Sequence, residues 1–343
     1  MQIRPIQSQS FKGYDACPIK RLYMQGIEYE NQKDIFDEVR EIGEIEGIDV
    51  LVFNNPGFTR EVKEFCPTYH PWTQDDKSFV QDKGRTKMVI VETLDALESM
   101  ALGNFLDDLG YKNEHNKTFL VGGNSFIGKK KDGEKYILIG KNEFDANVLR
   151  EVSKDYDVKF NNIYTISQPN FHIDMALRPI GHPYILVNDE DIVKQKTKKY
   201  GRKLYHLTKK FYKEHYKPEG NEEKYATPDQ TVKELKRRGF IPIRIGGVYT
   251  SGINYMNAIV NKHPDGTITY ITNSARNSEF PELDYIFERE LRQKVPNIKD
   301  VYFVSGKRSI NNPKMNTMMS YLANKNGGIH CMTLEEPNFE AWG

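Results

Sequence analysis

Residues 326–337 read NGGIHCMTLEEP, and the assignment of a fold starts from the one cysteine in that stretch, Cys331. Cysteine is among the most buried residue types, so one reading makes Cys331 a small core residue. The other makes it a nucleophile, because Gly327 and Gly328 just before it let the backbone turn sharply and approach a ligand closely. A nucleophile needs an acid, a base and groups that hold the substrate, and these must lie elsewhere in the chain.

Composition narrows the field first. A chain of 343 residues can bury a substantial core, as one large domain or two ordinary ones. With 38% hydrophobic and 28% charged residues it reads as globular rather than disordered. The 49 basic residues against 48 acidic leave a net charge of +1, so no global field favours nucleic acid or a membrane surface. Cys17, Cys66 and Cys331 are odd in number and lack zinc-type spacing, which argues against a disulfide framework and a structural metal site. Cys17 and Cys66 read as structural. The opening MQIRPIQSQSFKGYDACPIK has no apolar core, and no run of about 18 apolar residues occurs, so the cytoplasm is the expected location.

Outward from Cys331 the chain alternates between element types. IFDEVREIGEIEG (35–47) has helical spacing and stops at a glycine before the strand-like IDVLVF (48–53). ETLDALESMALGNFLDDLG (92–110) predicts an amphipathic helix; KTFLVGG and KYILIGK predict strands joined across KKDGE. TVKELKRRGFIPIRI (231–245) and FERELRQKVPNIKDVYFV (287–304) each read as helix, turn and buried strand, with strands NYMNAIVN and TITYITN between them, joined at HPDG. This recurring mixture of hairpins and helices predicts repeated α/β modules.

Residues 191–217, DIVKQKTKKYGRKLYHLTKKFYKEHYK, break the rhythm with ten Lys or Arg against two acidic residues, interleaved with Tyr200, Tyr205, Phe211, Tyr212 and Tyr216. Basic and aromatic residues together can bind single-stranded nucleic acid. The favoured reading is a solvated helix whose apolar stripe packs on the body, which makes nucleic acid an unexpected partner.

Two stretches supply partners for Cys331. In NFHIDMALRPIGHPYILVND (170–189), His172 and Asp174 are two apart, a spacing that in an extended strand points both to one face. In HPWTQDDKSFV (70–80), Trp72 can wall a pocket for an organic cation while Asp75 fixes its charge.

Taken in order, Trp72-Thr73-Gln74-Asp75, Gly122-Gly123-Asn124, His172-Ile173-Asp174, Asn254-Tyr255-Met256-Asn257 and Gly327-Gly328-Ile329-His330-Cys331 resemble the guanidine-modifying enzymes of the pentein superfamily. WTQDDKSFV is similar to stretches of the agmatine and peptidyl-arginine deiminases, GGIHCMT to agmatine deiminases, and FHIDMALRPIG to the amidinotransferases. The resemblance covers roughly residues 70–337. It implies a five-bladed α/β propeller of ββαβ-type modules around a pseudo-five-fold axis, forming a single catalytic domain over 1–343 with 191–217 as a basic aromatic insert. It further implies Cys331 as nucleophile, His172 as general acid and base, and Asp75 and Asp174 as the carboxylates that grip the guanidinium. Trp72, Gly123, Asn124, Val121, Asn257 and His330 would line the substrate site.

That chemistry needs those residue types. A guanidinium carbon is a poor electrophile because its charge is delocalised, so the thiolate must be strong and the cation held in a dry pocket. Carboxylates receive its N–H groups in paired, charge-assisted hydrogen bonds. No metal or organic cofactor is required, and the expected partner is a small-molecule or peptidyl guanidine, with no membrane; a homo-oligomer stays open. Water as the second nucleophile gives deimination, an amine gives amidino transfer, and a binding scaffold that has lost catalysis is a third alternative. One position departs from the family: where arginine and agmatine deiminases carry a glutamate before the paired glycines, this chain has Val121. Glu143 is a candidate to compensate.

Overall fold

Two hairpin turns show how the chain repeats itself. At Lys130–Glu134 and again at His263–Thr267, the first residue of the turn donates its N–H to the carbonyl of the last (2.7 and 2.9 Å). In each, a glycine takes positive φ (Gly133 +86°, Gly266 +85°), and the preceding aspartate accepts the N–H two residues on, at 2.9 Å in both. Asp-Gly is suited to this geometry because glycine enters the left-handed region freely and aspartate caps its own turn.

The computed structural model describes residues 16–26, 33–54, 77–82, 85–91, 107–116, 122–140, 146–215, 225–306, 318, 327–338 and 340–342. Among these, five three-stranded sheets have one connectivity: a central strand antiparallel to one neighbour and parallel to the other. In the first, β1 (Ile19–Gly26) lies between β17 (Thr333–Pro337) and β2 (Asp49–Asn54). The others are β3 (Lys77–Asp82), β4 (Arg85–Val91) and β5 (Lys112–Asn116); β6 (Ser125–Lys129), β7 (Lys135–Gly140) and β8 (Ile163–Ile166); β9 (Leu177–Pro179), β10 (Tyr184–Asn188) and β11 (Ile241–Ile245); and β14 (Ile259–Lys262), β15 (Ile268–Asn273) and β16 (Ile298–Val304). The short strands β12 (Val248–Thr250) and β13 (Ile253–Asn254) form a separate antiparallel pair.

Helices make the parallel crossovers. α1 (Lys33–Glu46) joins β1 to β2, α2 (Ala146–Asp155) joins β7 to β8, and α6 (Leu283–Lys294) joins β15 to β16. In α1, Ile35, Phe36, Val39 and Ile42 form the buried stripe that its spacing predicts, each worth about 2 kcal/mol as an upper bound. Gly47 then ends the helix at φ +69°, with the Ile48 N–H returning to the Gly43 carbonyl at 2.8 Å.

The β10–β11 crossover is longer: α3 (Glu190–Tyr200), α4 (Arg202–His215) and α5 (Pro228–Arg237). The basic segment is therefore two helices, not one, broken at Gly201 with φ +122°. Asp189 caps the first through N–H bonds from Asp191 and Ile192. Val193, Thr197, Leu204, Thr208 and Tyr212 are buried, while Lys198, Lys199, Lys209 and Lys210 are exposed. Tyr212 is anchored in the core, its hydroxyl donating to the Val248 carbonyl and accepting from Asn188 Nδ2. Among the described residues, no helix is long and apolar enough to cross a membrane.

Three local expectations are corrected. The partner of β7 is Ser125–Lys129, because the Lys130–Glu134 turn sets that register; Gly122–Asn124 form a short 3-10 turn instead, and 117–121 lie outside the described residues. NYMNAIVN is not one strand but breaks between β13 and β14, where asparagine side chains take over the backbone's hydrogen bonds. His172 and Asp174 do not share an extended strand, since Ile173–Met175 form a 3-10 turn closed by the Ala176 N–H to the Ile173 carbonyl. Most of the helix expected over 92–110, together with Cys66 and Glu143, falls outside the described residues. Cys17 is buried and bridges to Asn261, in keeping with its structural reading.

Candidate active site

The turn that carries Cys331 closes on its own backbone bonds, Met332 N–H to the Gly328 carbonyl and Thr333 N–H to the His330 carbonyl, and is held from outside by asparagine side chains distant in sequence. Asn273, the last residue of β15, accepts the Ile329 N–H on Oδ1 at 2.9 Å. Asn257, in the break before β14, accepts the N–H groups of His330 at 3.0 Å and Cys331 at 3.3 Å on its own Oδ1. The Asn273 amide donates in turn to the carbonyls of Asn254 (2.6 Å) and Asn257 (3.1 Å), and Asn254 Nδ2 to the Met175 carbonyl at 3.0 Å. All three asparagines are buried. Gly328 passes so close that a Cβ there would lie 2.6 Å from Asn273 Nδ2 and 2.7 Å from Asn257 Oδ1, so close backbone approach is what this glycine provides.

Because Asn257 Oδ1 is committed to two backbone donors, its Nδ2 faces the other way. It reaches Asp174 Oδ2 at 2.8 Å and Cys331 Sγ at 3.0 Å. The Cys331 thiol donates to the same Asp174 oxygen at 3.2 Å, and His330 Nδ1 donates to it at 2.8 Å. A single carboxylate oxygen thus collects three donors. Asp174 Oδ1, by contrast, has no hydrogen-bond partner among the described residues, although Asp174 is wholly buried.

Electrostatics explain how a buried carboxylate stays charged. Burial alone pushes the Asp174 carboxyl up, but the hydrogen bond from His330 and the positive charge of Arg178 are among the influences that outweigh it and hold it below the ordinary range. Arg178 on β9 is fully buried, its guanidinium 5.0 Å from the centre of the Phe126 ring. His330 is driven the opposite way: burial, and then Arg178, push its imidazole down to about 4 against the pull of Asp174. Behind it stands Glu335 of β17, its Oε1 3.9 Å from His330 Nε2, and burial pushes this carboxyl up to about 7.

His172 is half-buried at the start of the Ile173–Met175 turn, its ring 4.8 Å from that of Phe171, and near enough to interact electrostatically with Asp174. Gly123 and Asn124 lie in the short turn that packs against Ile173–Met175. Asn124 Oδ1 accepts from Gln168 Nε2 at 2.7 Å, and that amide also donates to the Phe171 carbonyl at 2.9 Å, so Asn124 steadies the loop leading into His172. Of the sequence candidates, Cys331, Asp174, Asn257 and His330 are brought into direct contact, and Gly123, Asn124 and His172 flank them. Trp72, Asp75 and Val121 lie outside the described residues.

Sequence reasoning did not single out Asn273, Arg178 or Glu335. Asn273 ends a strand buried along its whole length, and a polar residue closing such a run is a detectable signal. Arg178 and Glu335 carried none, since each sits in a short strand among residues of ordinary type. Among the described residues no group of three or more His, Cys, Asp or Glu side chains is arranged so that it could hold a metal ion.

No family model matches the chain, and no curated protein matches it in sequence. Solved structures do match in shape. Agmatine deiminase from C. jejuni aligns with a TM-score of 0.60 at 16% identity, covering 98% of both chains. Its cysteine-to-serine variant with substrate bound gives 0.56 at 14% identity, again covering 98% of both. The apo structure of ArgZ, an arginine dihydrolase from the ornithine-ammonia cycle in cyanobacteria, gives 0.51 at 11% identity over 93% of this chain and 39% of that one. The repeated three-stranded sheets and this full-length likeness together give the chain a mixed α/β fold similar to that of the C. jejuni agmatine deiminase.

Proposed function

We propose that this chain is a guanidine deiminase, a hydrolase that converts an arginine-like guanidino group to a ureido group and releases ammonia through a covalent intermediate on Cys331. The observation that carries this reading is Asp174: a buried, charged carboxylate that binds the thiol through one oxygen and leaves the other for a cation. A guanidinium N–H on Oδ1 would place the guanidinium carbon beside Cys331 Sγ. The five sheets of one connectivity support reading the chain as a single five-bladed propeller over 1–343, with this site at its centre and residues 191–217 as an elaboration of the fourth blade's crossover.

The reaction follows from the groups present. Before a guanidinium binds, the thiol proton lies in the hydrogen bond to Asp174. An arriving guanidinium offsets the carboxylate's charge, and the thiol loses its proton to His172. The thiolate attacks the guanidinium carbon, a C–S bond forms, and the C–N bond to the leaving nitrogen breaks as His172 returns the proton, releasing ammonia. Water, deprotonated by His172, then adds to the amidino-thioether carbon; the C–S bond breaks and the ureido product leaves. Asp75 is the second carboxylate of this reading, with Trp72 as a pocket wall. Val121, in place of a third carboxylate, suits a peptidyl or substituted guanidine better than free arginine.

The test measures ureido product and ammonia with agmatine, free arginine and an arginine-containing peptide, with and without glycine as amidine acceptor. Cys331→Ser is expected to abolish turnover while leaving the fold intact, because a hydroxyl is far less acidic than a thiol. Near-normal activity in that variant removes the covalent mechanism, and glycine-dependent product makes the chain an amidinotransferase instead.

A further inference from the structure

The feature that the deimination reading leaves unexplained is His330. Its ring is fully buried, and it gives its single strong hydrogen bond to the carboxylate that the reaction depends on. A histidine kept only for packing ordinarily satisfies both ring nitrogens. Here Nε2 has no hydrogen-bond partner among the described residues, and the facing Glu335 Oε1, equally without one, stands off at 3.9 Å.

The count of donors on Asp174 Oδ2 shows what His330 contributes. A carboxylate oxygen offers about two lone-pair sites, and three donors compete for them. The thiol at 3.2 Å is the weakest donor, and it is the one that must leave when sulfur bonds to carbon. After it leaves, His330 and Asn257, both at 2.8 Å, still hold Oδ2.

We infer that His330 is a positioning residue that acts through Asp174, keeping the carboxylate fixed and Oδ1 presented while Cys331 changes its proton and bonding state. The inference rests on the guanidine reading for what binds Oδ1, but not for the geometry itself. The charged and titratable groups that face the ring are Asp174, Arg178 and Glu335, with Cys331 and His172 beyond Asp174. An acceptor-only carboxylate requires the proton on Nδ1, and the positive Arg178 nearby favours the neutral ring. A doubly protonated ring would have to place a charge next to Arg178.

The test compares three variants of the full chain by turnover and by alkylation of the Cys331 peptide with a neutral haloacetamide and a cationic haloacetamidine. His330→Asn returns an N–H close to the Nδ1 position, His330→Gln returns one nearer Nε2, and His330→Leu returns neither. Wild type is expected to prefer the cationic reagent. The Leu and Gln variants are expected to lose that preference and on the order of 10²-fold in kcat/KM, the cost of a misplaced catalytic group, while Asn retains most of both. If Leu does not fold, the contrast between Asn and Gln decides. A Gln variant equal to or better than Asn, or a Leu variant with wild-type preference, overturns the role of His330 and leaves the guanidine reading standing. Absence of any cationic preference in wild type overturns both.

Discussion

Asn257 grips Cys331 at both ends: its Oδ1 accepts the Cys331 backbone N–H at 3.3 Å while its Nδ2 reaches Cys331 Sγ at 3.0 Å. One side chain therefore fixes the backbone from which the sulfur projects and the sulfur itself. Asn257→Asp keeps the shape but sets a second carboxylate against Asp174, whereas Asn257→Ala leaves the buried His330 and Cys331 N–H groups without an acceptor. The Ala variant is expected to lose about 2–3 kcal/mol in denaturant unfolding, and the Asp variant to lose activity out of proportion to stability. An Ala variant with wild-type stability would show that these bonds contribute nothing net.

Gly328 leaves no room for a side chain. A methyl group there meets Asn273 and Asn257 at under 3 Å, and both amides are committed to holding the Cys331 turn. Gly328→Ala is expected to cost about 1–3 kcal/mol and to slow alkylation of Cys331 through its displaced turn. Comparing the melting temperature and the labelling rate of Gly328→Ala with wild type checks this, and an unchanged pair of values would mean the turn shifts freely.

Glu335 and His330 give stability opposite dependences on pH. The folded chain holds the Glu335 carboxyl at about 7 against an ordinary 4.5, so its stabilising contribution is complete below 4.5 and is lost as pH rises to about 7. Relative to wild type, Glu335→Gln should gain on the order of 3 kcal/mol between those limits. His330 is held at about 4 against 6.5, so its contribution is present above 6.5 and is lost as pH falls toward 4. His330→Gln should therefore gain relative to wild type on acidification. Urea midpoints from pH 4.5 to 8 read both slopes, and a flat difference for either variant rules out that residue as a buried neutral group.

The basic helices are anchored by Tyr212 and present their charge outward. Tyr212→Phe strands Asn188 Nδ2 and the Val248 carbonyl and is expected to cost about 1–3 kcal/mol. Charge reversal at Lys198, Lys199, Lys209 and Lys210 should leave stability within about 0.5 kcal/mol and turnover unchanged. If the wild type binds a polyanion at low salt, the same reversal should weaken binding and flatten its salt dependence; if turnover falls instead, the segment belongs to the site.

Val121 decides substrate preference in the deimination reading. Val121→Glu is expected to shift preference toward small unsubstituted guanidines, while Asp75→Asn impairs every substrate. Wild-type turnover of free arginine or agmatine with the highest kcat/KM among the guanidines tested would contradict the role given to Val121.

Much of this protein could be read from residue order. Helical stripes such as Ile35, Phe36, Val39 and Ile42, and turns such as Asp132-Gly133 and Asp265-Gly266, are local signals, and the structure keeps them because local periodicity and backbone preference agree with the fold. The grouping of Cys331 with His172, Asp174 and Asn257 was equally legible as an ordered set of residue types. What sequence could not supply was the conformation at 172–175 and 254–259, where side chains replace the backbone's usual partners, or the presence of Asn273, Arg178 and Glu335 around the site. Nor could it say which oxygen of Asp174 meets the sulfur. That contact joins residues 157 positions apart, and the Asn257 contact that orders it joins residues 83 apart. Only the packing of separate sheets against one another brings such groups within hydrogen-bond distance, and the low dielectric of the buried site then makes the choice of partner matter.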